Sequence, residues 1–133
     1  MDTYYFDNAA TTKVNKEVLE EMIPYFNDKY GNPSAVYAIA RESKKAIEKA
    51  REQVANLIGA SKKEIYFTAS GSEADNTAIK GIAYKNIQKG NHIITTKIEH
   101  HAILESCEFL EKQGYKITYL NVDKNGFINL ISS

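Results

Sequence analysis

The chain has 133 residues, 43% hydrophobic and 26% charged, which is the composition of a soluble globular protein long enough for one domain that buries roughly two-thirds of its unfolded surface. Its 17 Lys and Arg balance 17 Asp and Glu, so no global field attracts nucleic acid or an acidic membrane. The single cysteine, Cys107, excludes an intrachain disulfide and fits a reducing cytoplasm. No basic-then-apolar leader opens the chain, and no apolar run approaches the ~20 residues of a membrane span, so the reading is soluble and cytoplasmic.

In chain order, Asn15 caps a helix expected to run to about Tyr25, with Val18, Leu19, Met22 and Ile23 on one face. Asn27 to Ser34 is a loop dense in turn formers, where the Asn32-Pro33 pair disfavours helix. A long helix is expected from about Tyr37 to Ile58, since Ile39, Ala46, Ile47, Ala50, Val54 and Ile58 recur at three- and four-residue spacing and Gly59 suits a C-cap.

The rest alternates strand and helix. A first strand is expected over Glu64–Thr68, with a helix from Glu73 to Ile87 closed by Gly90. A second strand, His92–Thr96, precedes a helix from Ala102 to Gln113 stopped by Gly114. A third strand, Lys116–Val122, leads to an Asp123–Gly126 turn and a short apolar end, Phe127–Leu130. A β-α-β-α-β order argues for an α/β fold with a parallel sheet and helical crossovers, whose ligands collect beyond the carboxyl ends of the strands. The turns Ala69–Ser72 and Lys97–His101 both lie at that end.

Ser70-Gly71-Ser72-Glu73 can cradle an anion. A helix start leaves backbone N–H groups unpaired, Gly71 allows close approach and Ser72 adds a hydroxyl. It can equally be a tight turn with Ser70 or Ser72 as cap, and spacing alone leaves both open. Glu99-His100-His101 offers rings that stack or move protons, or two plain surface histidines. No metal site is expected, because adjacent histidine side chains diverge and no carboxylate or cysteine completes a ligand spacing. Cys107 lies on the apolar stripe Ile103, Leu104, Leu110 and reads as a packing residue.

Four separated motifs share one resemblance. Asp7-Asn-Ala-Ala-Thr-Thr12 looks like the opening signature of the cysteine desulfurases, pyridoxal-phosphate enzymes of the class V aminotransferase group. Tyr30-Gly-Asn-Pro-Ser34 resembles their Gly-Asn-Pro-Ser loop, Phe67 to Gly81 their phosphate turn and its helix, and Ile98-Glu-His100 their Thr-Glu-His, with Gly126 and Leu130 continuing the likeness. Where the family often has a histidine and then a glycine after that loop, this chain has Tyr37 and Ala40.

The resemblance implies residues 1–60 as an N-terminal helical segment (the start of the small domain and lead-in helices) and 61–133 as part of the parallel-sheet large domain of a fold-type-I pyridoxal-phosphate enzyme. It implies pyridoxal phosphate held through Gly71 and Ser72, with His100 stacked on the pyridine ring and assisting proton transfer. The implied reaction takes sulfur from L-cysteine, leaving alanine and an enzyme persulfide that feeds iron–sulfur cluster or thionucleoside synthesis through a sulfur-acceptor or scaffold protein, in a homodimer. Selenocysteine lyase or another class V enzyme is an alternative, as is a truncated phosphate-binding or interaction module. The family's Schiff-base lysine, pyridine-pairing aspartate, substrate-binding arginine and mobile cysteine have no counterpart in these residues, so the chain is expected to be part of a longer enzyme and inactive alone.

Overall fold

The computed structural model describes residues 4–128 and divides into two compact units, 1–66 and 67–133. In the first, the Asn15 side chain accepts the Glu17 N–H at 2.9 Å and starts α1, Lys16–Met22. The single helix expected to Tyr25 is instead two, because α1 stops and α2, Pro24–Asn27, restarts with proline in its first turn. Proline lacks the N–H that a continuing helix requires and is at home at a helix start.

The loop after α2 is fastened to the long helix α3, Ala38–Ile58, by Ser43 Oγ, which donates to the Lys29 carbonyl at 3.0 Å. Here Gly31 is required by space: a Cβ on it would sit 2.5 Å from the Ile39 carbonyl oxygen. Gly59 ends α3 in the left-handed region at φ 69°, as its sequence position predicts. Arg51 then donates to the Ile65 carbonyl.

The first expected strand does not form part of a sheet. Ser61 and Glu64 make a reciprocal capping box around a short 3₁₀ turn, Lys62–Glu64, and residues 65–68 follow outside any strand. A strand is defined by its ladder, and among the described residues the two strands pair only with each other.

The second unit is built from α4, Gly71–Asn86; β1, His92–Thr96; α5, His101–Glu111; and β2, Lys116–Leu120. The strands are parallel, in register from His92 opposite Lys116 to Thr96 opposite Leu120, with α5 as the crossover. The core is Ala83 of α4, Leu110 of α5 and Tyr115, with Ile79, Ile93 and Ile117 packed against it. Gly114, at φ 93°, turns the chain from α5 into β2. Beyond β2, Val122 bridges Ile128 in antiparallel sense around the expected turn, where Asp123 Oδ1 accepts the N–H groups of Asn125 and Phe127. Leu130 lies outside the described residues. No helix among those residues is long and apolar enough to cross a membrane.

Candidate functional site

The turn into α4 is organised by its own side chains. Ser70 is the N-cap and its Oγ accepts the Glu73 N–H at 3.2 Å, which settles the choice between Ser70 and Ser72 in favour of Ser70. The Glu73 carboxylate reaches back to the Ala69 N–H at 2.7 Å and sits at the positive end of the helix. Gly71 and Ser72 therefore occupy the first two helical positions, where backbone N–H groups have no partner within the helix. The helix begins at Gly71, two residues before the Glu73 start expected from sequence.

Gly71 has no left-handed conformation, so its value is openness: nothing lies within 4 Å of where a Cβ would project. The Ser72 hydroxyl makes no hydrogen bond among the described residues, and the residue is exposed. Two unpaired N–H groups, an open backbone and a free hydroxyl at a helix start are the donor set a phosphate group requires. These residues fit the phosphate of pyridoxal phosphate.

His100 is the N-cap of α5. Its Nδ1 accepts the Ala102 N–H at 3.1 Å, so the neutral ring carries its proton on Nε2. The ring is exposed and meets His101 edge-on, with centroids 6.3 Å apart. Just upstream, Thr96 Oγ1 donates to Glu99 Oε1 at 2.8 Å and holds that carboxylate back against the end of β1.

The packing of α4 on α5 relates the two helix starts. Lys80 Nζ lies 4.4 Å from the Phe109 ring centroid, and Tyr84 donates from its hydroxyl to Gln113 Oε1 at 2.9 Å. Both contacts span the same 29 residues, so the helices run parallel. Parallel helices bring their starts to the same end of the pair, Gly71 at one and His100 at the other. The three residues singled out from the sequence thus share one end of the helix pair, although no hydrogen bond or ring contact joins them directly.

Cys107 takes no part. It is buried on α5 and its thiol is pushed up from the usual range, first by burial and then by the charges of Glu111 and Glu99. The sequence reading missed Asn76 and Lys80, which link the Ser72 carbonyl to α5. The four-residue spacing from Ser72 to Asn76 and from Asn76 to Lys80 was the available signal.

A model of the aminotransferase class-V family matches residues 4–132. The chain is similar to the cysteine desulfurase IscS of Clostridium botulinum, 59% identical over 126 residues, covering 95% of this chain and 32% of that protein. Among solved structures it resembles a NifS-like protein (TM-score 0.88, 43% identity, 96% of this chain and 35% of that one). It also resembles SspA in complex with cysteine (TM-score 0.81, 47% identity, 88% and 34%). The chain spans about a third of the length of these relatives. Its α/β architecture matches the N-terminal part of fold-type-I cysteine desulfurases. With nearly every residue inside the family match, the chain belongs to the class V aminotransferases.

Proposed function

We propose that this chain carries part of the cofactor site of a pyridoxal-phosphate-dependent cysteine desulfurase, which takes sulfur from L-cysteine to give L-alanine and an enzyme persulfide. The observation that supports this most is the open start of α4 at the same end of the parallel helix pair as the start of α5, with Gly71 and Ser72 at one and His100 at the other. The similarity to desulfurases over 95% of the chain points the same way.

In this reading the N–H groups of Gly71 and Ser72 and the Ser72 hydroxyl donate to the phosphate, aided by the α4 dipole. The bound cofactor supplies an electron sink for carbanion chemistry. His100 lays its ring against the cofactor ring and holds or passes a proton at Nε2, since Nδ1 is committed to capping α5. Glu73, tied to Ala69, fixes the turn and stays off the phosphate donors. A cytoplasmic homodimer, a sulfur-acceptor or scaffold protein, and a role in iron–sulfur cluster or thionucleoside synthesis belong to the same proposal and are supported by the family likeness.

The test is a pyridoxal phosphate titration of the purified chain followed by visible absorption, with borohydride reduction and mass measurement. Saturable binding without a covalent adduct supports a working half-site. Absence of saturable binding overturns that reading.

A further inference from the structure

The side chains of α4 below the phosphate turn form an unbroken series. Asn76 Nδ2 donates to the Ser72 carbonyl at 2.9 Å. Its Oδ1 accepts from Lys80 Nζ at 2.5 Å, and that ammonium lies 4.4 Å from the Phe109 ring centroid on α5. Asn76 and Lys80 are both partly buried. Each group is used in the only sense its chemistry allows. The amide nitrogen donates and the amide oxygen accepts, which fixes the amide orientation, while the ammonium has three donors and no acceptor and turns its charge to a π face.

A mid-helix asparagine is neutral at best for helix stability, because its side chain competes for backbone carbonyls. Among the described residues the Lys80 ammonium has its one hydrogen-bond partner in a neutral amide, so it loses hydration without gaining an ion pair there. Helix propensity alone therefore gives no reason for this pair. Their placement does: one end holds the residue that offers its N–H and hydroxyl at the helix start, and the other end bears on the helix that His100 caps.

We propose that Asn76 and Lys80 are positioning residues, which lock the Gly71–Ser72 cradle at a fixed setting against α5 and hence against His100. The proposal rests on the reading of Gly71 and Ser72 as the phosphate cradle. Lys80 acts through the Asn76 amide to which it donates and the Phe109 ring that its ammonium meets.

The experiment compares the full chain with its Lys80→Met, Asn76→Ala, Asn76→Ala/Lys80→Met and Lys80→Arg variants. Lys85→Met, at an exposed lysine of the same helix, is the charge-matched control. Without ligand, Lys80→Met and Asn76→Ala are expected to shift the amide resonances of Gly71 and Ser72 and the ring resonances of His100. Lys85→Met should leave them in place. With pyridoxal phosphate, each single variant is expected to weaken binding about tenfold and the double variant no further, while Lys80→Arg, which keeps both the donor and the π contact, stays within about threefold of wild type.

Unshifted Gly71, Ser72 and His100 resonances in folded Lys80→Met and Asn76→Ala overturn the relay, whatever the cofactor does. So does a double variant whose loss is the product of the two single losses. If pyridoxal phosphate moves none of these resonances in the wild-type chain, the cradle reading fails by itself, and the relay is still decided by the unliganded spectra.

Discussion

His100 Nδ1 accepts the Ala102 backbone N–H at 3.1 Å, so the histidine proposed for proton transfer is also the cap of its own helix. His100→Ala is therefore expected to remove two things at once: about 1 kcal/mol of stability from the lost cap and the ring from the site. His100→Asn separates them, because asparagine is a strong N-cap without an aromatic ring. Thermal denaturation should place His100→Asn near wild type and His100→Ala below it, while both lose cofactor affinity. Wild-type affinity in the asparagine variant would reduce His100 to a structural cap.

Ser72→Ala removes a hydroxyl that makes no hydrogen bond among the described residues, so folding should not change. Cofactor affinity should fall by about 1–3 kcal/mol, the scale of a charge-assisted hydrogen bond. Ser70→Ala is expected to do the reverse, lowering stability by about 1 kcal/mol through the lost cap on Glu73. Urea melts and cofactor titrations on the two variants distinguish these roles. The assignment is wrong if the serines exchange effects.

One substitution at two glycines should have opposite signs. A Cβ on Gly31 would meet the Ile39 carbonyl oxygen at 2.5 Å and the Ala40 nitrogen at 2.7 Å, backbone atoms that cannot swing away. Gly31→Ala is expected to destabilise by about 1–3 kcal/mol. Gly81 lies within α4 with nothing within 4 Å of a Cβ, and Gly81→Ala should stabilise by about 0.5–1 kcal/mol through helix propensity. Denaturation midpoints read both.

Burial, then Glu111 and Glu99, raises the Cys107 thiol above its unfolded value. The folded state thus holds this proton more tightly. The associated stability is complete below about pH 8.5 and is lost as pH climbs through the folded value. Tyr119 is shifted the same way, by burial first and then by Glu111, and its buried hydroxyl has no hydrogen-bond partner among the described residues. Unfolding free energy should fall from about pH 8.5 upward, and Cys107→Ala should flatten that slope without abolishing it. An unchanged slope in the variant would place the titration elsewhere.

Local signals in the chain located α3, β1, β2 and the α5 crossover, because each is bounded by its own punctuation: Gly59, Gly114 and the alternation around Ile93 and Ile117. The split at Pro24 was also locally encoded, by a residue without an N–H, but the apolar face running on to Tyr25 masked it. The segment after Glu64 has strand composition, yet no strand among the described residues pairs with it, and a ladder cannot be read from one segment. At the site, Gly71, Ser72 and His100 stood out because helix starts are written locally. Their alignment was not legible, since it depends on Lys80 meeting Phe109 and Tyr84 meeting Gln113 across 29 residues.

The most direct measurement is an isotope-edited NMR titration of the chain with pyridoxal phosphate, repeated with pyridoxal, which lacks the phosphate. The account predicts that pyridoxal phosphate shifts the Gly71 and Ser72 amides and the His100 ring saturably and together, and that pyridoxal leaves the two amides where they are. Equal shifts from both compounds, or shifts confined to lysines elsewhere, would contradict a phosphate cradle at the start of α4.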